Sequence, residues 1–277
     1  SMVTDFGTIR FNAGHDLPFV LFLPTYTATA HHHGVLSERL QRMSLEAAVK
    51  ESEAFAIGDY ASALMLGDTL PAEQRVAITK RYAELTGLSE SFIDQANLRV
   101  SQRRFGKELL RDRGLTVGRF DSRFTGRDRD DAGEGYDYDA SYAAIRAIYT
   151  ASLNDYLRGE LGYDSDMSYE ILTGVWPWDY GQGGNNRFLN TGERLRAVMH
   201  QQPHMKVYVG SGYFDLATPH FAADYSLSHL MLAEELRDNI EVNYYEAGHM
   251  MYLRQSELEA QVQNLRRFYE TTPVGSR

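Results

Sequence analysis

Two stretches decide the fold class of this chain: Lys206-Val207-Tyr208-Val209-Gly210-Ser211-Gly212-Tyr213-Phe214-Asp215, and Ile240-Glu241-Val242-Asn243-Tyr244-Tyr245-Glu246-Ala247-Gly248-His249-Met250. Each opens on a short run rich in β-branched and aromatic residues and then reaches a glycine, the pattern of a strand leading into a turn. Residues 205–210 read as a buried parallel strand and residues 240–245 as a second one. Helical patterns surround them at 193–201, through most of 218–236, and at 256–269, where Leu258, Val262, Leu265 and Phe268 share a side. The alternation of helix and strand implies parallel strands with right-handed crossovers. Two strands are too few for a doubly wound sheet, and a strand buried on both faces expects further parallel neighbours. The chain offers no clear candidates for them.

Upstream, the pattern is helical from about residue 36 to 164. A long amphipathic stretch follows Ser37 through Leu40, Met43, Leu45, Ala48, Phe55 and Ile57. Pro71 opens a helix carrying Val76, Ile78 and Tyr82, and Gly87 ends it. Ser89, Ser101 and Asp139 cap three more. The last of these carries Tyr142, Ile145, Ile148, Tyr149, Leu153 and Tyr156 before Gly162. The only strand-like run in this block is 115–120. The first 34 residues are nearly uncharged, and 17–24 would bury on almost every side, so they require a large partner surface.

Asp215 and His249 fall just beyond the carboxyl ends of the two strands, where open α/β sheets place their sites. Their order and their spacing of one βα unit match the last two members of an α/β-hydrolase triad. There histidine is the general base and the acid fixes its tautomer. The same two residues also admit a structural role, Asp215 as a helix cap and His249 as a satisfied turn residue. No Gly-x-Ser-x-Gly nucleophile elbow occurs in the chain, and Ser211 lies on the same loop as Asp215.

Over nearly its whole length the chain resembles bacterial members of the serine carboxypeptidase family. The resemblance rests on residues 14–30, on Leu109-Leu110-Arg111-Asp112 with Arg119-Phe120-Asp121-Ser122-Arg123-Phe124-Thr125-Gly126, on 206–219, and on Tyr244-Tyr245-Glu246-Ala247-Gly248-His249-Met250. It implies a partial α/β-hydrolase fold with a large inserted helical cap. Residues 1–35 would be a core segment leading to the cap, 36–167 the cap, and 168–277 the part of the hydrolase core carrying Asp215 and His249. It also implies that the serine nucleophile, much of the oxyanion hole and the rest of the sheet lie upstream of this chain. On that reading the chain is the C-terminal portion of a peptidase that releases C-terminal amino acids, inactive alone and acting on peptide only in the complete protein. The unpaired edge would favour a homo-oligomer or association with the missing N-terminal portion. Family alone suggests a periplasmic or secreted location. The rival expectation is a non-catalytic helical binding or assembly module on a degenerate hydrolase remnant.

Remaining features point to less. Asp and Glu number 38 against 28 Lys and Arg, a net charge of -10, which disfavours nucleic acid and anionic membranes as partners. There is no cysteine, so disulfides and thiolate metal sites are excluded. His31-His32-His33 on a helix would point in divergent directions, a poor metal set. The Asp128-Arg129-Asp130-Asp131-Ala132-Gly133-Glu134 stretch lacks a calcium-loop ligand at its fifth position and reads as a solvated acidic loop. The glycine-rich 181–186 stretch lacks the strand and Lys-Ser/Thr pair of a phosphate cradle. Beside it, Trp176 and Trp178 are candidates for an aromatic substrate wall. No cofactor and no metal is expected.

Overall fold

The computed structural model describes residues 3–167, 172 and 178–271. Residues 168–171, where the expected C-terminal part of the core would begin, and Trp176 lie outside them. The described chain is a mixed α/β structure, mostly helical, with two small two-stranded sheets.

The first helix, α1 (Leu17–His32), sets the architecture. It is buried on all sides: every residue from Pro18 to Ala30 is buried, the polar Thr25, Thr27 and Thr29 included. Pro18 sits in the first turn, where a missing N–H costs nothing. Such a helix must be surrounded, and the helices that follow share its core: α2 (Glu38–Gln41), α3 (Leu45–Phe55), α4 (Ala61–Leu66), α5 (Ala72–Thr86), α6 (Glu90–Gln95) and α7 (Gln102–Glu108). The stretch read as one helix after Ser37 is two. Ser44 Oγ accepts the Ala47 N–H at 3.2 Å and starts α3 afresh. The expected stops hold for α5, where Gly87 has a φ of +72°. Ser89 caps α6 through the Phe92 N–H.

One apolar core runs from Phe19, Leu23 and Tyr26 through Tyr60, Tyr82 and Phe105 to Val117 and Leu216. Tyr26 stacks on Phe105 with centroids 4.0 Å apart, and its hydroxyl donates to the Val100 carbonyl at 3.2 Å. Residues on both sides of position 35 contribute to this core.

A short antiparallel ladder, β1 (Thr116–Val117) with β2 (Thr125–Gly126), closes the helical block. α8 (Ala140–Asp155) follows, capped by Asp139, whose carboxylate accepts from the Ser141 and Tyr142 amides. Then come α9 (Gly192–Gln201), β3 (Val207–Gly212), α10 (His220–Ser228), α11 (Glu234–Arg237), β4 (Ile240–Tyr245) and α12 (Gln255–Thr271). β3 and β4 pair in parallel, from Val207 opposite Ile240 to Gly212 opposite Tyr245. The first strand therefore begins two residues later than its composition suggests and extends through Gly212. The helical pattern of 218–236 breaks after Ser228, and Met231 turns the chain with a φ of +54°. Val262 is exposed, off the side of α12 that Leu258, Leu265 and Phe268 share. Near the amino end, the Phe6 N–H donates to the Leu189 carbonyl and the Thr191 N–H to the Thr4 carbonyl, which ties the first residues to the α/β part.

In the acidic stretch 128–134, residues 129–134 are exposed, as a solvated loop requires, and one residue departs from that reading. Asp128 is not solvated: its side chain is 1% exposed and accepts from Lys107 Nζ at 2.7 Å, itself 3% exposed. Lys107 also donates to the Asp130 carbonyl. Removing one partner would leave an uncompensated buried charge. Asp128→Ala is expected to lower stability by about 3–5 kcal/mol, and the pair replacement Lys107→Met with Asp128→Leu by clearly less. Urea unfolding of both variants measures this.

Candidate active site

Three backbone segments meet beyond the carboxyl ends of β3 and β4. Phe214 N–H donates to the Ala247 carbonyl at 3.0 Å, Leu216 N–H to Arg119 at 3.0 Å, Ser122 N–H to Phe214 at 2.9 Å, and His249 N–H to Phe120 at 2.6 Å. Two glycines permit this approach. A Cβ on Gly212 would lie 2.4 Å from the Ala247 carbonyl oxygen, and one on Gly248 would lie 2.4 Å from that of Phe120. Asp121 is buried and holds Arg123 through two hydrogen bonds, at 2.9 and 2.6 Å, while Arg123 donates to the Glu246 carbonyl at 2.8 Å.

This frame brings the two candidate residues together. His249 Nδ1 lies 2.9 Å from Asp215 Oδ2. The carboxylate can only accept, so Nδ1 carries the proton, and Nε2 holds the lone pair in the neutral ring. Asp215 is fully buried, whereas the His249 side chain is 32% exposed, so the pair has one dry end and one open end. Asp215 Oδ1 accepts the Ala217 and Thr218 amides at 2.8 and 2.9 Å. Thr218 Oγ1 donates to Asp215 Oδ2 at 2.8 Å and sits 3.2 Å from His249 Nδ1. Burial pushes the Asp215 carboxyl up. The hydrogen bond and charge of His249, with the Thr218 donors, outweigh it and hold the group below the ordinary aspartate value of 3.8. Asp215 organises the turn ahead of α10 without capping that helix, whose N-cap is Pro219, and it holds the His249 ring.

A cavity of about 340 Å³ opens over His249. Its walls include Phe120, Tyr142, Arg146, Tyr149 and Tyr252. Among the described residues, no serine hydroxyl contacts His249, and Ser211 is buried on β3 with an unpaired hydroxyl. Trp178 is exposed and does not line this cavity. The three adjacent histidines diverge: His31 bonds the Met43 carbonyl, His33 bonds the Ser122 carbonyl, and His32 packs on Phe214. Burial and the adjacent His33 push the His32 ring down to about 4. Among the described residues, no group of three or more His, Asp or Glu side chains is placed to hold a metal ion, and no helix is long and apolar enough to cross a membrane.

Sequence reasoning missed Thr218 and the Phe120 wall. The first was signalled by Asp215-x-x-Thr218, a spacing that lets an aspartate bond the turn after it. The second had no local signal, because Phe120 meets His249 across 129 positions of chain. No family model matches the chain, and neither the curated proteins nor the solved structures contain a significant match.

Two outcomes are expected. Gly248→Ala should cost about 1–3 kcal/mol in urea unfolding, because its methyl group meets the Phe120 carbonyl. The depressed Asp215 carboxyl contributes stability that is present above its ordinary value. That contribution is lost as the pH falls from about 4 through the lower folded value. Asp215→Asn should therefore be less stable than the parent at neutral pH and should flatten this acid limb, as read by Tm against pH.

Proposed function

We propose that this chain is the C-terminal portion of a serine carboxypeptidase-like α/β-hydrolase. In this reading Asp215 is the orienting acid, His249 the general base, and residues 36–167 the helical cap. The observation that carries it is the Asp215–His249 hydrogen bond formed at the carboxyl ends of two adjacent parallel strands. This is where the α/β-hydrolase order of acid and then histidine would put the pair. The resemblance of residues 206–219 and 244–250 to the family supports the same assignment.

The chemistry follows from the tautomer. With Nδ1–H held by Asp215, Nε2 can take the proton of a serine hydroxyl as its oxygen bonds to the carbonyl carbon of the last peptide bond. The resulting imidazolium, stabilised by the buried carboxylate, returns that proton to the departing amine as the C–N bond breaks. Water then attacks the acyl-serine. Its proton goes to Nε2 and from there back to the serine oxygen, releasing the shortened peptide. The serine belongs to the part of the protein upstream of these residues, and the isolated chain is inactive.

Labelling with a fluorophosphonate, read by intact mass, tests this. The chain alone should give no adduct. The chain extended upstream through a Gly-x-Ser-x-Gly segment should give one adduct per molecule and release C-terminal residues. His249→Ala should lower that activity by about 10³-fold or more. An adduct on the isolated chain, or full activity in the His249 variant, overturns the assignment.

The rival reading, a non-catalytic assembly module, draws on the apolar surface around the end of α8, where Ile148, Tyr156, Leu161 and Tyr163 are exposed. A buried carboxylate bonded to a partly exposed imidazole at the mouth of a cavity is the arrangement a general base needs, which favours the hydrolase.

A further inference from the structure

His220 is a fully buried histidine that the chemistry above does not use. It opens α10, two residues after Thr218, and both its ring nitrogens have partners far away in the chain. Nε2 lies 3.3 Å from Glu53 Oε1 in α3, and Nδ1 lies 3.2 Å from Thr25 Oγ1 in α1. A carboxylate only accepts, so Nε2 carries a proton toward Glu53. In the neutral ring Nδ1 then keeps the lone pair and accepts the Thr25 hydroxyl. Among the described residues, Glu53 pairs with no lysine or arginine. Tyr213 and Tyr244 pack on the imidazole in edge-to-face geometry, with centroids 5.2 and 6.2 Å away. One turn further on, Asp224 Oδ1 accepts the Tyr244 hydroxyl at 2.8 Å. The start of α10 is therefore held by α1, α3 and β4. Space-filling alone would be served by an apolar side chain, which has no polar partners to satisfy.

The span between His220 and the Asp215–His249 pair has little freedom. Pro219 has a φ of −61°, fixed by its ring, and it disfavours helical backbone at Thr218. The Thr218 N–H and hydroxyl both bond Asp215, and Thr218 Oγ1 stands 3.2 Å from His249 Nδ1. These donors fix the rotation of the Asp215 carboxylate about its Cβ–Cγ bond, and with it the direction of the bond to Nδ1. A short, stiff strap thus runs from the buried imidazole of His220 to the oxygen that holds His249. We infer that His220 is a positioning residue: held by Glu53 and Thr25, it fixes the Thr218 turn and so the Asp215–His249 hydrogen bond, which ties the candidate base to helix α3. The catalytic consequence rests on the hydrolase reading, whereas the effect on the His249 ring is a property of this chain alone.

NMR of the ¹⁵N-labelled chain reads the positioning directly. Nine histidines contribute ring signals, and His249→Gln identifies those of His249. In the parent, His249 should show a protonated Nδ1 with a slowly exchanging, downfield proton. Glu53→Ala and His220→Leu should lose that proton signal and bring the Nδ1 and Nε2 shifts of His249 toward one another, as the two tautomers mix. His220→Gln, whose amide can donate to Glu53 in place of Nε2–H, should restore part of it. Leu85→Ala, a truncation in the buried core at α5, should leave it unchanged. Glu53 is partly exposed, so its variant decides the matter even if His220→Leu fails to fold. In the protein extended upstream through its serine, Glu53→Ala should lower kcat about tenfold with KM within about twofold. An unchanged His249 signature in Glu53→Ala overturns the inference, whatever His220→Leu does. So does an equal loss in Leu85→Ala, or a parent in which Nδ1 is not protonated. If the signature behaves as stated but the extended protein fails to label or hydrolyse, the hydrolase reading alone falls. If it hydrolyses while the signature is unmoved, the positioning role alone falls.

Discussion

The structure depends on the close backbone approach of three segments, 118–123, 212–216 and 246–249. Their carbonyls and amides satisfy one another directly: Phe120 with His249, Arg119 with Leu216, Phe214 with Ser122 and Ala247. Buried backbone groups must find partners, and side chains at Gly212 or Gly248 would hold these segments apart. The position of the imidazole is a consequence of this contact. Its own amide is bonded to Phe120, and its ring nitrogen is then within reach of Asp215.

The same junction links the helical block to the α/β part. Thr29 Oγ1 in α1 lies 2.6 Å from Ser122 Oγ, and His33 bonds the Ser122 carbonyl at 2.7 Å. The Arg123 fork joins Asp121 to the Glu246 carbonyl. α1 thus does two jobs. Its apolar surface organises the helices around it, and its polar edge anchors the loop that carries Phe120. α8, capped by Asp139, also starts at this junction: Asp139 Oδ1 accepts the Arg119 amide at 2.9 Å, and Ser141 Oγ accepts that of Phe120 at 3.0 Å. The cavity wall and the candidate base are therefore referenced to the same few backbone atoms.

Electrostatics reinforce this arrangement. Asp215 is fully buried, and its carboxylate is satisfied by two amides, a hydroxyl and an imidazole. Four donors on one buried anion make the ionised form the stable one, despite the cost of removing it from water. The Lys107–Asp128 pair solves a similar problem elsewhere, with an ion pair inside a loop whose composition suggests full solvation.

Much of this was legible in the amino-acid sequence. The two parallel strands, the caps at Ser89 and Asp139, the stop at Gly87 and the enclosed character of α1 follow from local chemistry: periodicity, turn residues and hydrogen-bonding side chains act over a few positions. The same holds for Asp215 and His249, each placed by the strand before it. The tertiary structure decided what no local rule reaches. It split the helix after Ser37 at Ser44, buried Asp128 against Lys107, and brought Phe120 and the α8 face against His249. It also added Thr218 to the carboxylate. These depend on which segments become neighbours once the apolar core forms. Core formation responds to shape and volume summed over the whole chain, and no window of sequence contains that sum.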